Sequence, residues 1–247
     1  MSPGENPAIL LKAEGLHVRR GGALVLDIPV LDIFPDQVLA LIGPNGAGKS
    51  TLLLTLACLL KPSGGHFSFN GREIDADRGD VEYRRRIAMV FQEPLLFDAT
   101  VFDNVAAGLK IRGVGREEIG RVVPGYLELF GIAHLAKRSA RKLSGGEAQR
   151  ASLARAFVTK PEIVFLDEPF SSLDPPTREA LIGDFEKILR ETRTAAVVAT
   201  HDQTEALRLA DWMAVMNGGR IAQIWSVAEV MNRPADGFVA SFVGVET

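Results

Sequence analysis

Apolar positions along the chain follow two rhythms, short runs of four to six residues and longer runs at helical spacing. Residues 8–18 and 23–33 are β-rich and partly alternating, separated by Arg19, Arg20, Gly21 and Gly22, which signal a turn. Unbroken apolar runs at 39–42, 87–91, 163–166 and 195–200 suit parallel strands covered on both faces. Residues 66–70 alternate as a strand into an Asn70-Gly71 turn. Residues 51–60 read as an apolar helix ended by the segment Lys61, Pro62, Ser63, Gly64, Gly65. Residues 175–192 are amphipathic, with Leu181, Phe185, Ile188 and Leu189 on one face.

Between 93 and 160 the strand rhythm stops. Helical spacing replaces it at Val101, Val105 and Leu109, then at Ile119, Val122, Tyr126, Leu127 and Phe130. Pro124-Gly125 is expected to break or restart the second of these helices. Ser144 and Glu147 form a capping-box pattern that opens a further helix through Lys160, stopped by Pro161. The pattern therefore predicts an α/β chain forming one domain over 1–247. Residues 1–92 and 161–247 form a mainly parallel sheet core with a small N-terminal β subdomain, and 93–160 form an inserted helical subdomain.

Composition adds bounds. With 47% hydrophobic and 24% charged residues, 247 residues can bury a core without staples. A net charge of −3 gives no general reason to expect a nucleic-acid surface. The lone Cys58 permits no internal disulfide and reads as a small buried hydrophobe in the apolar helix. The longest apolar run, 52–60, is about half of the roughly 20 residues that span a bilayer. The first residues lack a basic segment followed by a long apolar stretch, so no secretory signal is expected. The expectation is a soluble, cytoplasmic chain.

One stretch carries most of the chemistry. Residues 38–60 run strand, glycine-rich turn, helix. Gly43, Gly46 and Gly48 free the backbone to curl around an anion, with Pro44, Asn45 and Ala47 between them, at the positive end of the following helix. Lys49 supplies a point charge for the outer phosphates, the Ser50 hydroxyl is placed to ligate Mg²⁺, and Thr51 completes the set that can hold the phosphates. The expected ligand is a nucleoside triphosphate. A second apolar strand delivers Asp167 and Glu168 at its carboxyl end, the form of a Mg²⁺-binding aspartate followed by a carboxylate able to polarise water.

Leu143, Ser144, Gly145, Gly146 and Glu147, continued by Ala148, Gln149 and Arg150, resemble the signature motif of ATP-binding cassette (ABC) ATPases. Physically this is also a Ser hydroxyl and two unshielded backbone N–H groups at a helix N-terminus, a second anion site. The resemblance implies a P-loop NTPase fold and an ATP hydrolase with ATP and Mg²⁺, whose metal is held by Ser50, Gln92 and Asp167. Gln92 matches the family's Q-loop glutamine, Ser171 to Asp174 its D-loop, and His201 its switch histidine, which contacts the γ-phosphate. Glu168, His201, Lys49 and Gln92 are the implied catalytic set, and Ser144 to Glu147 are implied to close over the ATP of a second copy in a homodimer. Five elements in family order cover nearly the whole chain.

Two places depart from the pattern. Where the family usually stacks an aromatic residue on adenine, this chain has Arg19-Arg20, with His17 close by; an Arg can stack through its guanidinium plane. Asp36-Gln37 stand where Gly-Glu often precedes the loop strand, a change expected to affect a turn more than catalysis.

The resemblance implies work on separate transmembrane permease subunits at the cytoplasmic face of the membrane, with residues 93–112 as their contact, and import, indirectly with a solute-binding protein. The wording around Gln92 (Phe91 to Phe97, then Thr100 to Val105) resembles tungstate- or molybdate-type oxyanion importers. The chain's end at Thr247 leaves the expectation of no accessory regulatory domain. The alternative classes are a soluble ABC ATPase acting in DNA repair or translation, and a P-loop kinase.

Overall fold

The computed structural model describes residues 8–76 and 79–244. The expected antiparallel subdomain is a four-stranded sheet in the order β2-β1-β4-β5, built from β1 (Leu11–Arg20), β2 (Ala23–Ile33), β4 (Gly64–Phe69) and β5 (Arg72–Glu73). The hairpin turn is confined to Gly21 and Gly22, both at positive φ, so Arg19 and Arg20 belong to β1. Asp36 sits in a turn with φ +59, a conformation glycine adopts at less cost.

The second sheet has six strands in the order β10-β9-β3-β8-β7-β6. Five run parallel, among them β3 (Val38–Ile42), β6 (Ile87–Val90), β7 (Ile163–Asp167) and β8 (Ala195–Thr200). Every residue of β3 and β8 is buried, as their unbroken hydrophobicity requires. Alternation across the sheet divides the core. Ile163 and Phe165 pack with Leu39, Leu41 and the antiparallel sheet, whereas Val164 and Leu166 pack with the helices of 93–192. The C-terminal part adds β9 (Trp212–Asn217), parallel to β3, and β10 (Arg220–Ser226), antiparallel to β9. This hairpin adds to the elements expected from the pattern.

The first helix, α1 (Lys49–Leu56), is shorter than the apolar run suggested, and Gly64 and Gly65 belong to β4 rather than to its end. Hydrophobicity continues to Leu60, but the chain turns at Cys58, where φ is +54. Two side chains from α2 (Val81–Arg86) take the exposed carbonyls: Tyr83 Oη donates to Leu56 O at 2.7 Å and Arg84 Nη2 to Cys58 O at 2.8 Å. Cys58 is buried outside the helix, and burial pushes its thiol up to about 11, so it is inert at neutral pH.

Between 93 and 160 lie α3 (Val101–Ile111), α4 (Arg116–Leu129) and α5 (Gly145–Phe157). Helix α4 runs unbroken through Pro124, against expectation. Pro124 and Gly125 face solvent, where the carbonyl deprived of its partner can be hydrated, while Val123 and Leu127 on the other face are buried. Helix α5 stops at Phe157, earlier than Lys160, whose φ of +49 already turns the chain toward Pro161 and β7. Helix α6 (Pro175–Thr192) has the predicted bounds, and Leu181, Phe185, Ile188 and Leu189 are all buried. A short α7 (Gln203–Leu209) follows β8, and α8 (Val227–Asn232) and α9 (Gly237–Phe242) close the described chain.

Parallel register decides what meets what. Ile42 pairs with Thr200, Asp167 with Ala199, and Val90 with Leu166, so the segments after β3, β6, β7 and β8 all emerge from one edge of the sheet.

Candidate active site

Strand β3 delivers the glycine-rich loop. Gly43 has φ +155, and a Cβ there would lie 2.3 Å from the Met216 carbonyl oxygen of β9, so only glycine fits. Gly46 and Gly48 are at φ +81 and +100, and Gly48 is the N-cap of α1. Lys49 is 5% exposed and its Nζ donates to the carbonyls of Gly43 (2.7 Å) and Pro44 (3.2 Å). Burial pushes its pKa down, while the carboxylates of Glu168 and Asp167 oppose that shift. Asn45, Gly46, Ala47, Gly48, Lys49, Ser50 and Thr51 line a cavity of about 300 Å³ together with Arg20, Val25 and Glu168.

Strand β7 brings the acids against this loop. Ser50 Oγ donates to Asp167 Oδ1 at 2.8 Å, so two of the three expected metal ligands, 117 residues apart in sequence, are in contact. Burial raises the Asp167 pKa; the Ser50 hydrogen bond opposes this, the neighbouring Glu168 carboxylate adds to it, and Lys49 opposes it. A hydroxyl and a carboxylate are hard oxygen donors, and the set fits Mg²⁺, which takes few protein ligands and completes its shell with phosphate oxygens and water.

Glu168 adopts a left-handed φ of +46 and is fixed by its N–H, which donates to Ala199 O of β8 at 2.9 Å. Its Oε2 lies 3.1 Å from His201 Nδ1. A carboxylate only accepts, so this bond requires the proton on Nδ1 and leaves Nε2 for another partner. Gln92 follows β6 and its Nε2 donates to Ser171 Oγ at 3.1 Å; Ser171 Oγ donates in turn to Glu168 O at 3.0 Å. Gln92 and His201 thus reach the site through Ser171 and Glu168 rather than by lining the cavity.

The Ser144–Glu147 segment lies elsewhere. Ser144 caps α5 with a complete capping box: Glu147 N donates to Ser144 Oγ, and Ser144 N to Glu147 Oε2 at 2.8 Å. That Ser144 backbone bond holds the Glu147 carboxyl below its usual range. Gly146 faces Thr177 of α6, whose Cγ2 would be 2.5 Å from an added Cβ, and Gly145 faces Leu173. None of Ser144, Gly145, Gly146 or Glu147 lines the cavity formed by the loop of the same chain.

Several supporting residues carried no sequence signal. Gly219, in the β9–β10 turn, donates its N–H to Ala47 O at 3.0 Å and accepts from Asp27 N at 2.8 Å, tying the phosphate loop to β2. Arg178 of α6 donates to the carbonyls of Phe170 and Ser171 and to Asp202 Oδ2, each at 3.2 Å, which fixes the segment between Glu168 and α6. Thr200 Oγ1 donates to the buried Glu205 at 2.6 Å and accepts from Asp202 N at 3.0 Å, bracing the turn that carries His201. Arg155 of α5 donates to Pro94 O and Leu95 O, both at 2.9 Å. An arginine inside a helix, or a Gly-Gly turn, takes such a role only from what the fold puts beside it.

The sequence model of the family described as "ABC transporter" matches residues 26–171. An Fe(3+) ions import ATP-binding protein of Streptomyces coelicolor is 41% identical over 241 residues, covering 97% of this chain and 68% of that one. A molybdate/tungstate import ATP-binding protein of Thermococcus kodakarensis is 43% identical over 208 residues, covering 83% and 62%. A sulfate/thiosulfate import ATP-binding protein of Mycobacterium tuberculosis is 42% identical over 227 residues, covering 92% and 64%. The chain thus spans 62–68% of the length of these relatives. Among solved structures, cbiO1 from Clostridium perfringens, part of the ABC transporter complex cbiONQ, superposes with a TM-score of 0.84 at 31% identity, covering 92% of each chain.

Proposed function

The chain belongs to the ABC transporter family, and from that premise we propose that it is the ATP-hydrolysing subunit of an importer, working as a homodimer on separate transmembrane permease subunits. The observation that carries this reading is the meeting of Ser50 with Asp167, and of Glu168 with His201, at the mouth of the glycine-rich loop. The loop N–H groups and Lys49 bind the phosphates of ATP and neutralise charge that develops on them. Ser50, Asp167 and Gln92 are the residues that would hold Mg²⁺, which would supply neutralisation of the phosphate charge. Glu168 takes the proton of the attacking water, and His201, oriented by Glu168, presents Nε2 to the γ-phosphate. Gln92 reports on this site to residues 93–160 through its bond to Ser171.

The domain assignment follows the same logic: a core of 1–92 and 161–247 with a helical subdomain at 93–160. The permease contact lies just after Gln92, where Leu95 and Phe97 are each 57% exposed and their loop is held by Arg155 and Asn104. Among the described residues no helix is long and apolar enough to cross a membrane, in keeping with a peripheral subunit on the cytoplasmic face. An oxyanion cargo, tungstate or molybdate, is the finer reading. It is supported by the wording around Gln92 and by one relative of that name, beside relatives named for Fe(3+), sulfate/thiosulfate and trehalose/maltose import. The import names of these relatives favour transport over DNA repair or translation.

The dimer is the testable core of the proposal, because Ser144–Glu147 stands apart from the loop of its own chain. Lys49→Ala and Ser144→Arg chains are each expected to be inactive. Mixed together they form heterodimers with one intact composite site, and phosphate release returns to roughly a quarter of wild type for random pairing. Absence of any recovery, with heterodimers verified by differential tags, refutes the arrangement.

A further inference from the structure

The half-buried carboxylate of Asp32 lines a second cavity, of about 350 Å³, that shares no lining residue with the phosphate-loop cavity. Alternation along β2 sends Leu31 and Ile33 into the core and puts Val30 and Asp32 on the other face. The second sheet supplies the facing wall, with Leu39 of β3 beside its register partner Trp212 of β9, and Ile224 of β10. Leu39 lies near the start of β3 and the phosphate loop follows its end, so the two cavities are separated along that strand.

The lining is mostly apolar and includes no Lys, Arg or His. Its one charge is Asp32, whose Oδ1 is shut off from solvent and has no hydrogen-bond partner among the described residues. Lys12 stands opposite Asp32 on β1, but its ammonium is bonded to Glu14 Oε1 at 2.7 Å. That bond is the main cause of the raised Lys12 pKa, and the Asp32 charge is the least of the causes. A carboxylate with one oxygen denied both water and a donor is poorly compensated, and a charged donor reaching its other oxygen beside apolar walls makes a stronger bond than it does in water. An indole adds attraction for a cation.

We propose that this cavity binds a small organic ammonium ion with an apolar body, the ammonium donating to Asp32 and the body lying against Phe34, Leu39, Trp212 and Ile224. The site is independent of the triphosphate site of the preceding section. Its volume is at the small end of ligand sites and suits a body of about one ring or a short chain. Three other occupants fit the lining less well. A hard metal ion needs several oxygen ligands, and one carboxylate among apolar side chains does not supply them. An anion meets the charge of Asp32, and a neutral body leaves that charge without a counterpart.

The test uses 2-phenylethylammonium, 2-phenylethanol and phenylacetate, which share an apolar body and differ in the head group. Binding to the full chain is followed by the NMR shift of the Trp212 indole N–H, assigned with Trp225→Phe, since these are the only two tryptophans. The ammonium is expected to bind saturably in the low-millimolar range, about ten-fold or more tighter than the alcohol, and phenylacetate not at all. Asp32→Asn is expected to bring the ammonium and the alcohol to within about two-fold of each other while keeping the wild-type melting temperature. Excess MgATP is expected not to displace the ammonium. Equal affinity for ammonium and alcohol, binding of phenylacetate, or no saturable binding of the ammonium overturns the proposal on the wild-type chain alone, whether or not Asp32→Asn folds. A preference for the ammonium that survives in folded Asp32→Asn overturns the role of the carboxylate, and competitive displacement by MgATP overturns the placement of the site.

Discussion

Replacing Glu168 by Gln removes one negative charge and a proton acceptor while keeping the shape. The backbone at 168 is pinned by the bond from its N–H to Ala199 O, and its carbonyl accepts from Ser171, so the left-handed turn is set by main-chain contacts the substitution leaves alone. The glutamine Oε1 can still accept from His201 Nδ1, which keeps the imidazole oriented. What is lost is the proposed base. General-base removal costs about 10²–10⁴ in rate, about 2.7–5.4 kcal/mol on the barrier. Binding moves the other way. Glu168 lines the cavity that receives the polyanion, and neutralising it also removes the like-charge neighbour of Asp167, so nucleotide affinity rises rather than falls. Single-turnover phosphate release and equilibrium ATP binding are measured on the same preparation, with light scattering to follow the mass. The expected result is slow release, tighter binding and accumulation of an ATP-bound dimer. Phosphate release within ten-fold of wild type would refute the role of Glu168 as base; weakened binding would refute the electrostatic part of the argument.

Two further perturbations test the supporting structure. Asp167 has its pKa raised by burial above the ordinary value of 3.8, so the folded chain holds this proton more tightly than the unfolded chain does. Its contribution to stability is full below 3.8 and is lost as pH rises through the higher native value, whereas metal binding needs the ionised form and weakens as pH falls through that same value. Asp167→Asn is accordingly expected to leave the ligand-free chain at least as stable in urea at pH 7 while abolishing Mg²⁺-dependent ATP binding; a large loss of stability would contradict this. Gly219→Ala places a Cβ 2.5 Å from Val25 O and 2.9 Å from Val25 C, both backbone, at φ +83. Left-handed strain and overpacking together predict a loss of about 2–5 kcal/mol and weaker nucleotide binding. Gly218→Ala, at φ +52 with open space around it, costs only about 1–2 kcal/mol of strain, and equal melting temperatures for the two variants would dismiss the tie between loop and β2.

Much of the architecture was legible because the determinants were local. Strand β8 and helix α6 have the bounds expected from apolar runs and periodicity, since a fully buried strand and a one-sided helix each write their environment into consecutive residues. The loop glycines, Lys49, Ser50 and the capping box of Ser144 and Glu147 were legible for the same reason, as their spacing is the geometry. Where the structure departs from the local pattern, the cause is a partner distant in sequence. Apolar character runs to Leu60, but α1 ends at Leu56, whose carbonyl Tyr83 takes, and the chain turns at Cys58, whose carbonyl Arg84 takes. Pro124 failed to break α4 because its face is open to water. The strands after His201 add to the expected elements, and β9 provides the backbone that makes glycine obligatory at position 43.

By itself, then, the sequence determined the order of strands and helices, the phosphate loop and the residue types able to hold a triphosphate and a hard cation. Tertiary structure alone decided which of them meet. Parallel pairing of β6, β7, β8 and β3 brings Gln92, Asp167, Glu168 and His201 to the edge where the loop begins, across separations no local pattern encodes. It also kept Ser144–Glu147 out of the cavity lined by its own chain's loop. The physical reason is that a spacing in sequence specifies contacts only within one element, whereas contacts between elements follow from how buried faces pack and in what register.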